Sequence, residues 1–331
     1  MRRFTIIAFL TGLALGMALI VWAGYREVGE AFARTGWGVA LVVLVRAGVV
    51  GMAGLGWWLL LAPSHAATPA ACVGIRFIRE GINALLPVAQ IGGDIAGARL
   101  LTLRGVAASL AAASIVTDIF LQVSTQLAFT VLGLLLLLRH GGGDAVVSVV
   151  LTGVGVAAPV LVAFYLAQRR GASRLIQAGL RRFAGDRLGA AGATEALYAS
   201  LAAIQARRGA MLGGGLLHLG AWIIGSLEVY VALHFMGYPI GFAEALIIES
   251  LGQAARGAAF AVPGAIGVQE GGFIILGAAF GIPAEPALAL SLIKRVADLA
   301  LGLPGLVAWQ AIEGRRALAK DTTRGGEPTR D

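Results

Sequence analysis

The chain has 331 residues, of which 58% are hydrophobic and 13% are charged, and its mean hydropathy is +0.84. A soluble globular domain has about one quarter charged residues, so this composition excludes a soluble protein and indicates an integral membrane protein. The net charge of +8 comes from basic residues in short segments between apolar runs. That distribution is typical of cytoplasmic loops and argues against a nucleic-acid-binding surface. The single cysteine, Cys72, excludes an internal disulfide.

Six apolar stretches are long enough to cross a hydrocarbon layer about 30 Å thick. They cover residues 4–23, 36–61, 108–138, 146–167, 210–235 and 287–312. No small-residue cleavage site follows the first stretch, so we interpret it as a retained transmembrane helix rather than a secretory signal. The sequence therefore predicts an all-α polytopic membrane protein with about six transmembrane helices.

Two further regions are apolar but interrupted, and they cover residues 70–103 and 240–281. Each contains a proline and several glycines, with a carboxylate seven residues after the proline: Pro87 precedes Asp94, and Pro263 precedes Glu270. Proline removes a backbone donor and glycine loosens the helical turn. Non-helical backbone survives at membrane depth only where protein or a wet cavity surrounds it. We predict two re-entrant, broken-helix hairpins that line one polar site near the middle of the membrane.

The basic residues predict the orientation. The long polar connection at 168–209 carries eight arginines, and the Arg76, Arg79, Arg99 and Arg104 group belongs on the same, cytoplasmic side, together with both termini. Three full spans separate the hairpins, so the hairpins enter from opposite faces. This arrangement is typical of an inverted repeat. The predicted membrane domain covers 1–313, with halves at 1–167 and 210–313, and the polar tail at 314–331 is predicted to be disordered.

Several ionisable residues lie inside apolar spans, where each costs about 2.5–3.5 kcal/mol on insertion scales. They are Arg46, Asp118, Glu228, Glu249, Lys294, Arg295 and Asp298. One interpretation is mutual pairing: Lys294 with Asp298, four residues apart on one helix face, and Asp118 with Arg46 between helices. The other is a shared polar cavity, which the size of the set favours.

The hairpins offer candidate ligands for an anionic group such as phosphate. Short helices that begin after Gly92 and Gly93, or after Gly264 and Gly267, would point free backbone N–H groups into the cavity. Arg99 and Arg256 would add positive charge, whereas Asp94 and Glu270 oppose an anion unless they cap the helices, pair with arginines or take up a proton. The candidate substrate-binding residues are Pro87, Gly92, Gly93, Asp94, Arg99, Arg256, Pro263, Gly264, Gly267, Glu270 and Gly271.

No sequence feature predicts catalysis or a cofactor. The chain has no nucleophile-elbow, zinc-protease or phosphate-loop motif. Its four histidines lack metal-ligand spacing, and we expect them in loops or at the membrane interface; they are His65, His140, His218 and His234. We therefore expect neither a metal site nor an enzyme.

Two segments carry a family resemblance: LLPVAQIGGDIAGARLL at 85–101 and VPGAIGVQEGGFIILGAAFGIP at 262–283. They resemble the two signatures of the lysylphosphatidylglycerol synthase transmembrane, or flippase-like, family, and LLPVAQIGG is most similar to its hopanoid-biosynthesis-associated branch. The resemblance implies a multi-pass protein of the bacterial inner membrane that moves lipid between leaflets. Two departures are visible. Only a short tail follows residue 312, where full-length synthases carry a soluble aminoacyl-transferring domain, and Asp94 stands where many relatives have glutamate.

These observations favour translocation of a lipid, either a hopanoid or an anionic phospholipid, by alternating access around the two hairpins. The main alternative is a membrane partner without transport activity that organises a lipid-biosynthetic (hopanoid) complex through its basic face. An intramembrane lipid-modifying enzyme is a third hypothesis. Membrane lipids are the expected partners under each of them.

Overall fold

The computed structural model describes residues 25–61, 67–86, 92–141, 188–259, 265 and 267–324, with isolated residues between 148 and 163. Side chains of the last helix are described as far as Glu313. Ten helices are labelled here in chain order: α1 Tyr25–Thr35, α2 Gly38–Leu61, α3 Pro69–Leu85, α4 Gly92–Thr102, α5 Ala108–Arg139, α6 Leu188–Ala206, α7 Arg208–Phe235, α8 Phe242–Ala258, α9 Val268–Ala278 and α10 Ala284–Arg324. The described residues contain no strand.

Among the described residues, three helices are long and apolar enough to cross a membrane, namely α2, α5 and α7. Their bounds agree with the predicted spans at 36–61, 108–138 and 210–235. The predicted span at 4–23 lies outside the described residues, and only isolated residues of the span at 146–167 are described. The last predicted span, 287–312, lies within α10. That helix continues to Arg324, beyond the boundary at residue 313 where a disordered tail was predicted.

The two interrupted regions each form a pair of packed helices. α3 and α4 have 17 and 11 residues, and α8 and α9 also have 17 and 11. The arms of each pair are packed neighbours, because Gly97 faces the Arg79 side chain and Gly252 faces Phe273. The chain therefore repeats one order of elements: a long helix, a broken hairpin and another long helix.

The central pair of the bundle is α2 against α7. The two helices run antiparallel, since Gly38 contacts Phe235 at one end and Gly56 contacts His218 near the other. The guanidinium of Arg207 donates to the carbonyls of Leu59 and Leu60 and so satisfies acceptors left free at the end of α2. Because hairpin α3–α4 follows α2 and hairpin α8–α9 follows α7, the hairpins enter from opposite ends of the bundle, as predicted.

Each hairpin packs into its own apolar core. The α3–α4 core includes Trp57, Ile78 and Leu101, and the α8–α9 core includes Val229, Ile248 and Phe273. α2 and α10 contribute to both. The polar residues described below lie between these two cores.

α3 and α10 approach each other through glycines. A Cβ added at Gly81 would lie 2.5 Å from the Gly302 carbonyl oxygen, and one added at Gly305 would lie 2.6 Å from the Phe77 carbonyl oxygen. Small residues allow this close backbone contact, on which helix association in lipid depends because lipid gives no hydrophobic drive between helices.

This contact gives a first testable prediction. Gly81→Ala should destabilise the protein by about 1–3 kcal/mol, because the new methyl group meets backbone that cannot move aside. Gly74→Ala on the same helix is the matched control, since nothing lies within 4 Å of its added Cβ. Thermal unfolding of the two purified variants checks the prediction, and equal melting temperatures would contradict the close packing.

Candidate functional site

Four charged or titratable side chains surround Asp118, which is fully buried. We call this group the Asp118 cluster, and its members are Arg76, Arg79, Asp94, Asp118 and His218. One Asp118 oxygen lies 2.9 Å from a nitrogen of each arginine, and the other lies 3.0 Å from Nε2 of His218. Arg79 also donates to Asp94 at 2.6 Å. Helices α3, α4, α5 and α7 are therefore joined through one carboxylate and its partners.

The Arg79 guanidinium has an aromatic neighbour as well. It lies 4.6 Å from the ring centroid of Trp57, whose Nε1 donates to Ser114. A cation over an indole face is attracted by the ring quadrupole, most strongly where water is excluded. Arg79 is only 2% exposed, so its position is fixed by contacts on several sides.

A second cluster surrounds Lys294, which is also fully buried. We call it the Lys294 cluster, and its members are Arg46, Glu228, Glu249, Lys294 and Asp298. The ammonium donates to Glu228 at 2.7 Å and to Glu249 at 2.9 Å. Arg46 lies 2.8 Å from Asp298 and 3.5 Å from Glu228. This cluster joins α2, α7, α8 and α10.

The two clusters occupy equivalent places in the repeated order of helices. Asp118 lies ten residues after Ala108, where α5 begins, and Lys294 lies ten residues after Ala284, where α10 begins. Their charges are reversed: one acid stands among cations, and one cation stands among acids. The geometry thus supports the predicted inverted repeat at the level of single residues.

The hairpin acids Asp94 and Glu270 each lie in the first turn of a second arm. Glu270 accepts from the backbone N–H of Gly267 at 2.7 Å and pairs with Arg295 at 2.7 Å. Ser291 donates to the same carboxylate. Of the alternatives considered for these acids, the structure therefore shows capping and pairing. Glu270 caps its helix and pairs with Arg295, and Asp94 pairs with Arg79.

Two of the glycine N–H groups that were expected to point into the cavity already have side-chain acceptors. Gly93 donates to Oδ1 of Asn83 at 2.8 Å, and Gly267 donates to Glu270. Gly267 has φ +84°, a conformation that glycine adopts without strain. Gly92 begins α4, and nothing lies within 4 Å of a Cβ added at Gly271. The predicted site residues Pro87, Pro263 and Gly264 lie outside the described residues.

A polar cavity of about 460 Å³ lies between the two clusters. Its walls come from α2, α3, α4, α5, α7, α8 and α10. Its charged lining consists of Arg46, Arg76, Arg79, Arg256, Glu80, Asp94, Asp298 and the ring of His218. Amide side chains complete the polar surface: Asn83, Gln122, Gln126 and Gln253.

Arg256 is the most loosely held of these arginines. Its contact with Asp298 measures 3.5 Å, and its side chain is 22% exposed. By contrast, Arg76 and Arg79 are 6% and 2% exposed and have carboxylate oxygens at 2.9 Å or less. Arg256 therefore has donors available for a group that enters the cavity.

Some sequence-based expectations for individual residues were wrong. Lys294 pairs with Glu228 and Glu249 rather than with Asp298, and Asp118 pairs with α3 arginines rather than with Arg46. In each case a carboxylate on another helix lies closer to the cation than the expected partner.

The structure also separates Arg99 from the other candidates. Its side chain is 58% exposed and pairs with Glu313 at 2.6 Å, so it does not reach the cavity.

Arg76 and Arg79 were expected among cytoplasmic basic residues but are buried in the Asp118 cluster. His218, expected in a loop or at the interface, is 2% exposed and contacts Asp118. In the sequence, the one signal for this buried contact was that His218 lies inside a long apolar run.

These features define a class: an all-α polytopic membrane protein with paired broken-helix hairpins and a charged cavity between them. The family model described as the lysylphosphatidylglycerol synthase TM region matches residues 9–305. The chain belongs to this family. A search of curated proteins and a search of solved structures each found no match.

The Lys294 cluster gives a second testable prediction. Lys294→Met should destabilise the protein by about 3–5 kcal/mol, because it removes the ammonium that two buried carboxylates share. Thermal unfolding in detergent checks this. The double variant Lys294→Met/Glu249→Gln should recover part of the loss, since one uncompensated charge is removed.

The exposed pair between Arg34 and Glu30, on α1, supplies a control. Glu30→Gln should change the melting temperature little, because exposed ion pairs contribute about 0–1 kcal/mol. Equal losses in the single and double Lys294 variants would contradict electrostatic pairing as the source of stability.

Proposed function

We propose that this protein translocates a lipid between membrane leaflets and that the polar cavity receives the lipid headgroup on the way. The observation that carries the proposal is the cavity itself. It lies between two hairpins that enter from opposite ends of the bundle, and charged side chains from both halves of the repeat line it. A polar passage through apolar helices suits a solute that has both a charged part and an apolar part.

The proposed headgroup is anionic, as in a phospholipid with a phosphate. Four arginines line the cavity against three carboxylates, and Arg256 has donors to spare. Guanidinium groups bind phosphate oxygens in a bidentate manner, which favours this substrate class. A hopanoid with a polar side chain is the other substrate that the family resemblance implies.

The proposed mechanism is alternating access. Opening the cavity first past one hairpin and then past the other exposes it to each side in turn, which is how inverted-repeat transporters work. We place the protein in the bacterial inner membrane with both termini in the cytoplasm, on the strength of the arginine-rich connection at 168–209.

The decisive experiment is leaflet exchange in proteoliposomes, and it tests Arg256 first. Arg256→Gln should slow the exchange of a fluorescent phosphatidylglycerol by about tenfold, since a hydrogen bond to a charged group contributes about 1.5–3 kcal/mol. Arg208→Gln is the matched control: this arginine is exposed at the start of α7 and does not line the cavity. Both variants should keep the wild-type melting temperature.

The hairpin acids give a further prediction in the same assay. Asp94→Asn and Glu270→Gln should each reduce exchange below wild type, because each change removes a charge that holds an arginine beside the moving hairpin. Rates are compared at a temperature well below the melting point of the least stable variant. Exchange undiminished in Arg256→Gln and in both acid variants would keep the lipid role and overturn the assignment of the site.

An absence of exchange by the wild type with every bacterial lipid tested would overturn transport. It would favour the alternative, a membrane partner of a lipid-biosynthetic complex. In that case function in cells should depend on the arginines of the 168–209 connection and not on Arg256.

A further inference from the structure

A second concave surface lies outside the polar cavity. It is an apolar groove of about 650 Å³ between α3, α4 and α10. Its lining from α3 includes Ala71, Gly74 and Ile78, and its lining from α10 includes Pro304 and Ala308. The groove residues are apolar except for Arg104 at one end.

Gly74 shows that the described residues leave this space open. Nothing lies within 4 Å of a Cβ added at Gly74, whereas one added at Gly81, two turns further along the same helix, would contact the α10 backbone at 2.5 Å. The groove therefore lies alongside the close contact between α3 and α10, and its lining includes Phe77 and Gly305 of that contact.

Arg104 differs from the other arginine near this end of α4. Arg99 is neutralised by Glu313, with two hydrogen bonds at 2.6 and 3.0 Å. The Arg104 side chain is exposed and makes no ion pair within the part of the chain that the structure describes. The groove thus combines an apolar wall with one guanidinium at its rim.

The length of the groove matches the depth of one leaflet. Its α10 wall runs from Leu301 to Ile312, which at about 1.5 Å per residue is about 16 Å. The hydrocarbon core of a bilayer is about 30 Å thick, so one leaflet is about 15 Å deep. Leu301 also lines the polar cavity, so the inner end of the groove adjoins the proposed headgroup site.

We propose that this groove binds one acyl chain of a glycerophospholipid from the leaflet on the Arg104 side, with the lipid phosphate held by Arg104. The apolar wall fits the chain, the free guanidinium fits the phosphate, and the length fits one leaflet. The site holds a lipid beside the cavity. Its occupancy does not require that the protein transport anything.

Photo-crosslinking in proteoliposomes tests the chain-binding part. The probe is a phosphatidylglycerol with a diazirine on one acyl chain, and adducts are mapped by mass spectrometry of peptides. We expect adducts on α3 between Ala70 and Ile78 and on α10 between Leu301 and Ile312. Gly74→Leu should fill the groove and reduce these adducts several-fold.

Gly48→Leu is the matched control, because Gly48 is an exposed glycine on α2 that likewise has nothing within 4 Å of an added Cβ. It should leave groove labelling unchanged. Equal labelling of the Gly74 and Gly48 variants would overturn the proposal.

The phosphate contact has its own test. Arg104→Gln should weaken labelling by phosphatidylglycerol about tenfold at limiting probe, in line with loss of a charge-assisted hydrogen bond. Labelling by the corresponding diazirine diacylglycerol, which lacks the phosphate, should not change. Arg208→Gln is the control for loss of a positive charge at the same end of the bundle, and an effect equal to that of Arg104→Gln would overturn the phosphate assignment.

Wild-type protein without adducts on α3 or α10 would also overturn the proposal. It would mean that the groove does not take up lipid. Groove labelling together with absent leaflet exchange would keep this inference and overturn only the transport proposal.

Discussion

Pairing of buried charge is the constraint on which this bundle depends. Asp118 and Lys294 are both fully buried, and each draws its partners from several helices. Helices in lipid gain little from apolar contact with one another, whereas an unpaired buried charge costs about 3–5 kcal/mol. A shift in the register of one helix would separate at least one ion pair. The clusters therefore specify how the helices align, in addition to any part they have in transport.

The reversed charge pattern has a chemical advantage for a protein built from two oppositely oriented halves. If both halves carried an acid at the position of Asp118, the cavity between them would hold a strong negative field. Lys294 at the equivalent place balances that charge, and both central residues are paired with side chains of opposite charge. Charged side chains therefore line the cavity, and most of them are paired with a neighbour of opposite charge. A loosely held side chain such as Arg256 then has a large influence on what the cavity accepts.

The sequence predicted the parts of the fold that depend on local patterns. Hydropathy located α2, α5 and α7, and the proline and glycine clusters located both broken hairpins. The ion pairs were not predictable, because they join residues that are far apart in the chain: Arg79 and Asp118 are on α3 and α5, and Glu228 and Lys294 on α7 and α10.

The misassigned arginines illustrate this limit. Arg76 and Arg79 stand in the sequence near Arg99 and Arg104, and all four fit a cytoplasmic group by charge alone. What separates them is the direction of each side chain from its helix. Arg79 points toward Asp94 and Asp118, whereas Arg99 points to Glu313 at the surface. Only a carboxylate known to be in reach distinguishes a buried arginine from an exposed one, and that information is three-dimensional.

The close contact at Gly302 and Gly305 has a mechanical consequence. α10 carries Lys294 about 12 Å on one side of Gly302 and the groove residue Ile312 about 15 Å on the other. It is held against α3 between these two points, and Pro304 interrupts its backbone hydrogen bonding there. A helix held at an intermediate point acts as a lever. A tilt of α10 about this contact would move the Lys294 cluster and the groove wall in opposite directions, so α10 is the element through which a movement in one half would reach the other.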